Sequence, residues 1–426
     1  MDKQDKIKRE VLPIPDTPYM GLTTFTAKDP DTSFPKFEPL RPPEGAPNVL
    51  VILLDDVGFG ASSAFGGPCN TPTAERLANT GLKYTRLHTT ALCAPTRQAL
   101  LTGRNHHSVG MGMVTEASTS APGYNATRPN NKAPLPEILN LNGYSTAQFG
   151  KCHEVPPWET SPMGPFDSWP SGGGGFEYFY GFVGGDANQW EPNLFRNTTQ
   201  IYPFKGKPGW NLVTGMADDA IDWMYRIHQT DPRQPIFIYY VPGSSHAPHH
   251  PTKEWVDKIH AMHLFDDGYE KLRERIFANQ KRLGVIPADA RLEPWPKDLL
   301  KPWDDLTPEE QKLFVKQVEV FAAYAAYTDW EIGRVVQAVA VGVRAVRVGL
   351  TGGIGSGIRY PYQEARDRGC LEWRGYWNDR GTYSTGYISS WGHGNIDAAC
   401  APQQGKVVTK HFDTCLGQER CFVKGR

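Results

Sequence analysis

Four short clusters in this chain carry side chains able to do chemistry. Asp55 and Asp56 stand side by side, after the apolar run Asn48-Val49-Leu50-Val51-Ile52-Leu53-Leu54 and before Val57-Gly58-Phe59-Gly60. Adjacent carboxylates repel unless a cation lies between them, so the pair reads either as half of a hard-metal site or as a solvated turn. The second cluster is Cys93-Ala94-Pro95-Thr96-Arg97, trailed by Leu101-Thr102-Gly103-Arg104. It places a thiol where a helix begins and anions are favoured, with Arg97 as a fixed cation of two-pronged geometry. Lys151 and His153 form the third; two positions apart in an extended segment, they project to the same side. The fourth is Ser244-Ser245-His246-Ala247-Pro248-His249-His250, whose surroundings complete no zinc pattern.

The elements that must position these clusters follow from local pattern. An apolar run without alternation, as in 48–54, predicts a strand buried on both faces of a parallel sheet. Ligands bind beyond the carboxyl ends of such strands. Ser145–Phe149 and Gln234–Val241 read as two more strands, each running into a polar cluster. Thr71 before Pro72 starts a helix that closes at Gly81 as a C′ residue. Helices are also predicted over Leu135–Leu141, Val213–Gln229, Gly268–Leu283 and Pro308–Val341. Leu82–Thr89 reads as a short strand leading to Cys93. Residues 155–212, rich in Pro, Gly and Trp, read as a long ordered loop around the substrate mouth, with Gly172–Gly175 as its flexible part.

Taken together, Cys-x-Pro-x-Arg with Thr-Gly-Arg behind it and the Asp-Asp strand end before it resembles the type I sulfatases. The nearest flavour is the bacterial arylsulfatases, within the alkaline-phosphatase-like superfamily. The resemblance covers about residues 46–340. It implies an α/β fold, an α/β/α sandwich with a mostly parallel central sheet, here C-terminally truncated or altered. It also implies a sulfuric ester hydrolase of arylsulfatase type that uses formylglycine made from Cys93 by a modifying enzyme, with Ca²⁺, or Mg²⁺, as the metal. Asp55, Asp56 and oxidised Cys93 would hold that ion, and Arg97 would stabilise the hydrated aldehyde. Lys151 would neutralise sulfate oxygens, His153 would assist sulfate release, and His249 would bind or protonate the leaving oxygen. His246 would support the site or simply pack. The substrate would be a small sulfate ester.

The resemblance stops near residue 340. The family would next supply a strand ending in Asp-Asn-Gly, whose Asp and Asn complete the metal site; this chain has Val348-Gly349-Leu350-Thr351-Gly352 instead. Residues 341–426 hold four of the seven cysteines and twelve Lys/Arg against seven Asp/Glu. That change of character suggests a shifted reading frame or a truncated gene. The expected division is therefore an extended arm over 1–45, a catalytic domain over 46–340 and an atypical tail over 341–426. Two alternatives remain: a catalytically impaired remnant without the Asp/Asn pair, or a phosphate or phosphonate monoester hydrolase of the same superfamily. Gly352–Ile358 mimics a phosphate loop, but Ile358 stands where the lysine belongs.

Composition narrows the classes further. The 426 residues carry a net charge of −1, which argues against nucleic acid or an anionic membrane as partner. The 36 prolines and 43 glycines predict long loops over the sheet. No apolar run spans a bilayer, and Met1–Arg9 has no apolar core of a leader. The expected compartment is the cytoplasm, with periplasmic or secreted placement as the alternative. Seven cysteines is an odd count without Cys-x-x-Cys spacing, which argues against a disulfide framework for Cys69, Cys93 and Cys152.

Overall fold

The computed structural model describes residues 9–16, 18, 20–34, 39–342 and 346–352, with side chains described as far as residue 340. In chain order the strands and helices are β1 (Asn48–Leu54), α1 (Pro72–Thr80), α2 (Cys93–Thr102), α3 (Leu135–Asn140), β2 (Ser145–Lys151), β3 (Tyr178–Phe182), β4 (Leu194–Arg196), β5 (Thr199–Ile201), α4 (Leu212–Thr230), β6 (Ile236–Val241), α5 (Lys253–His260), α6 (Tyr269–Arg282), α7 (Pro308–Gly342) and β7 (Val346–Gly352). The strands form one sheet in the order β5-β4-β3-β2-β6-β1-β7. Strands β3, β2, β6, β1 and β7 run parallel, while β4 and β5 turn back antiparallel at one margin.

The continuous apolar sequence of β1 is explained by cover on both faces. Leu50, Ile52 and Leu54 pack with Met216, Ala220 and Trp223 of α4 and with Phe321 and Ala322 of α7. On the other face Val49, Val51 and Leu53 pack with Leu101 of α2 and Leu139 beside Tyr144 and Phe176. The result is an α/β/α sandwich with a mostly parallel sheet. Among the described residues, no helix is long and apolar enough to cross a membrane.

Helix α2 starts at Leu92, whose extended backbone (φ −131°) feeds Cys93 into the first turn, and ends at Gly103 in the left-handed region. Pro95 falls in that first turn, where its missing N–H costs no helical hydrogen bond. Helix α1 is held at its start from outside: Asp329 of α7 accepts from Thr73 N at 2.8 Å and Ala74 N at 3.0 Å. Its end differs from expectation, because Gly81 is extended (φ −126°) and makes no left-handed cap.

Two stretches correct the sequence reading. Leu82–Thr89 forms no strand, and Leu82 and Tyr84 are exposed rather than packed into a sheet face. Residues 155–212 are not one loop, because β3, β4 and β5 lie inside them. These strands are short, and Gly181 interrupts β3 where the backbone leaves no room: a Cβ there would lie 1.9 Å from Gly150 O. Beyond residue 340, Val346–Gly352 forms β7 and pairs with the whole of β1, from Asn48↔Val346 to Leu54↔Gly352. The phosphate-loop mimic beyond Gly352 and the four late cysteines lie outside the described residues.

Candidate active site

Three strand ends and one helix start meet at a common rim. Asp55 follows β1, Lys151 ends β2, Ser244 and Ser245 follow β6, and Cys93 opens α2. Main-chain bonds carry the sheet past its strands: Asp55 N donates to Ser244 O at 3.2 Å, and Ser245 N to Asp55 O at 2.9 Å. Cys152 N and His153 N likewise donate to Phe182 O and Val183 O at the end of β3. The expected strand before Cys93 is absent, so the thiol reaches the rim on α2 alone.

Charge is concentrated at the floor. The side chains of Asp55, Arg97 and Lys151 are fully buried. Asp55 Oδ2 accepts from Arg97 Nη2 at 3.2 Å and is paired with Lys151 Nζ, while Arg97 Nη1 donates to Lys151 O at 2.8 Å. Burial alone would raise the Asp55 carboxyl, but the two cations hold it down at about 2. Glu154, also buried near Arg97, is pushed up to about 7 by burial, so Lys151 and Arg97 are the fixed charges best suited to an anion's oxygens. Asp56, in the left-handed region at φ 56°, keeps a more open side chain at the lip. The packing around it and the charge of Asp55 push it up to about 6, although His246 opposes this from 3.9 Å.

The thiol has its own partner. Cys93 Sγ lies 2.8 Å from His153 Nδ1, and His153 Nε2 lies 2.8 Å from Glu116 Oε2. Burial would raise the Cys93 thiol, but the imidazole and Lys151 bring it below its ordinary value. Burial would lower His153, but its bonds to Cys93 and Glu116 raise it. The hydrogen bond from His153 holds Glu116 at about 2. A thiol bonded to an imidazole that a carboxylate backs is the arrangement these contacts describe. Glu116 lies on a single 3₁₀ turn, Thr115–Ala117, in a polar loop that shows no motif in the sequence.

The histidine cluster divides. His246 faces Asp56 and its Nδ1 bonds Ala247 O at 2.6 Å. His249 lies edge-on to Phe321 and Tyr324 of α7, with ring centroids at 5.6 and 6.4 Å. His250 is tied down through its carbonyl, which accepts from Asn211 Nδ2 at 2.9 Å. Thus Asp55, Cys93, Arg97, Lys151 and His153 are joined by direct contacts, Asp56 borders them through His246, and His249 sits on the α7 side of the same loop.

For a metal, the donors at hand make half a site. Asp55 Oδ1 is buried without a hydrogen-bond partner, and Asp56 stands next to it. Among the described residues, no three His, Cys, Asp or Glu side chains gather into a ready cage. The two acids therefore fit one side of a hard cation, leaving the remaining positions to water or substrate.

The Sulfatase family model matches residues 47–344. An uncharacterised sulfatase of Schizosaccharomyces pombe is 32% identical over 302 residues, covering 68% of this chain and 54% of that protein. An arylsulfatase of Klebsiella aerogenes is 28% identical over 302 residues, covering 68% of this chain and 62% of that protein. The chain thus spans between half and two thirds of the length of these relatives. A solved structure from Bacteroides fragilis, assigned to the sulfatases, superposes with a TM-score of 0.53 at 15% identity, covering 76% of this chain and 64% of the other.

Proposed function

The chain belongs to the sulfatase family, and from that premise we propose that it hydrolyses a small sulfuric ester, an aryl sulfate in the first instance, at the rim between β1, β6, β2 and α2. The observation that carries this reading is the buried pair of cations, Lys151 and Arg97, set around the buried acid Asp55 beside Cys93. A sulfate ester offers oxygens of negative charge, and preorganised donors in a site closed to water stabilise that charge as it grows.

In this reading Lys151 holds the sulfate oxygens. Arg97, fixed by Asp55 and by Lys151 O, holds the reacting side chain at residue 93. His153 takes and returns a proton at Nδ1, where Cys93 Sγ now marks the place of the oxygen that an oxidised side chain carries. His249, its ring held edge-on by Phe321 and Tyr324, gives a proton to the leaving oxygen. Oxidation of Cys93 to formylglycine by a modifying enzyme supplies a hydrated aldehyde as nucleophile. Asp55, through its unpartnered Oδ1, and Asp56 would hold Ca²⁺ or Mg²⁺, which when bound draws charge from the ester oxygens. These functions fall within 46–340, and we assign the tail from 341 no part in them.

A second reading has one observation behind it. The strand beside β1 has the sequence Val346-Arg347-Val348-Gly349-Leu350-Thr351-Gly352, without an acid or amide to complete the cation's shell. Weak cation affinity and slow turnover follow from that. Peptide mass spectrometry at residue 93, on protein made alongside a formylglycine-generating enzyme, tests the main reading. Conversion of the thiol to an aldehyde is expected. A thiol retained in cells that convert another sulfatase overturns it.

A further inference from the structure

His153 is held more completely than a surface histidine after a strand would be. Its backbone lies in the left-handed region at φ 54°, and its N–H is fixed by Val183 O at 3.1 Å. One edge of the ring is closed by Gly185, where an added Cβ would come within 2.8 Å of Cε1 and 2.9 Å of Nε2. Its two nitrogens are both engaged, Nδ1 with Cys93 Sγ and Nε2 with Glu116 Oε2, each at 2.8 Å. Glu116 is itself steadied, because Thr115 Oγ1 donates to the same Oε2 at 3.1 Å from a buried threonine.

A carboxylate cannot donate, so the bond at Nε2 must be donated by the ring. In the neutral imidazole that leaves the lone pair on Nδ1, directed at the residue-93 side chain. A ring free of Glu116 could carry its proton on either nitrogen and could also swing about its χ2 angle. The acid therefore selects both the tautomer and the orientation in which His153 meets residue 93.

We propose that Glu116 is a positioning residue that locks the His153 imidazole with Nδ1 facing residue 93. The proposal deepens the sulfatase reading, on which the place of His153 in turnover rests, but the lock itself is a property of the unconverted chain. Among the described residues, Glu116 bonds neither the buried cations nor the two metal-side acids; its reach into the site is through the ring.

The test uses full-length protein expressed without a modifying enzyme, so that residue 93 remains a thiol. The rate of iodoacetamide alkylation at Cys93, followed by peptide mass spectrometry at neutral pH, reports how well His153 serves that sulfur. Glu116→Ala is expected to slow alkylation about 10- to 100-fold, the range for losing an orienting partner of a site histidine. Glu116→Gln, whose amide oxygen still accepts from Nε2–H, is expected to recover most of that loss. Unfolding temperature should be unchanged in both variants, since the Glu116 side chain is more than half exposed. A wild-type or faster rate in Glu116→Ala, or a Gln variant no better than Ala, overturns the proposal. In converted protein Glu116→Ala should lower kcat and leave KM unchanged, with Glu116→Gln recovering most of that loss. Absence of any sulfate turnover would count against the sulfatase reading and leave the alkylation result standing.

Discussion

At the scale of residues, the site is a balance of buried charges. Asp55 is ionised because Lys151 and Arg97 oppose the cost of its burial, and its folded pKa of about 2 lies below the ordinary value of 3.8. The sign follows: this stabilisation is complete above about pH 4 and is lost as pH falls through 2. Asp55→Asn removes the acid and leaves two buried cations without their partner. Denaturant unfolding at neutral pH should show a loss of about 3–5 kcal/mol; a loss below about 1 kcal/mol would mean that the cations find other relief. Gly185→Ala tests the ring's cradle instead. Its methyl would enter within 2.8 Å of His153 Cε1, so the imidazole must move. Turnover is expected to fall roughly 100-fold, with the unfolding midpoint nearly unchanged; full activity would show that the ring has room to spare. At this scale the sequence was legible where residues share a short motif. Cys93 and Arg97 lie four apart on one helix, and Lys151 and His153 two apart past one strand. Glu116 and Gly185 were not legible, because each meets His153 through a fold contact from a loop with no pattern of its own.

At the scale of elements, the strand ends do the positioning, and tight backbone crossings set where they end. Gly150 takes φ 111°, and an added Cβ would lie 2.0 Å from Val241 O on β6. Gly150→Ala should therefore part β2 from β6 next to Lys151, at a cost of more than about 3 kcal/mol in unfolding free energy. A stable variant with intact turnover would contradict that crossing. Helix α1 depends on a distant acid, so Asp329→Ala should cost about 1–2 kcal/mol and speed hydrogen exchange at Thr73 and Ala74 first. Uniform exchange across the helix would show that the cap is not local. Strands β1, β2 and β6 were readable because burial on both faces leaves an apolar run, and α4 and α7 because one face repeats at helical spacing. Strands β3, β4 and β5 were hidden by their length and by Gly181. The expected strand over Leu82–Thr89 does not form, and its Leu82 and Tyr84 side chains are exposed instead of buried on a sheet face.

At the scale of the whole molecule, the parallel order of β2, β6, β1 and β7 gathers segments distant in sequence at one end of the sheet. The fold class was legible before any coordinates, since the order of strands, helices and polar strand ends allows few arrangements. The margin of the sheet was not: β7 was read as part of an atypical tail, yet it completes the cover of β1. Without an acid or amide in β7, the proposed cation would rest on Asp55 and Asp56. Millimolar Ca²⁺ should raise the unfolding temperature of the wild type, in proportion to its affinity for the folded state, and should not do so for Asp56→Ala. Equal shifts in both would place the cation elsewhere.

The central claim is that Asp55, Cys93, Lys151 and His153 form one sulfatase site. Its most direct measurement is turnover of 4-nitrophenyl sulfate and 4-nitrophenyl phosphate, side by side, by protein with residue 93 converted, for the wild type and Lys151→Ala. The account predicts that sulfate is the preferred ester and that the alanine variant loses about 100- to 1,000-fold in kcat. Phosphate cleaved faster than sulfate, or sulfate turnover untouched by the loss of Lys151, would contradict it.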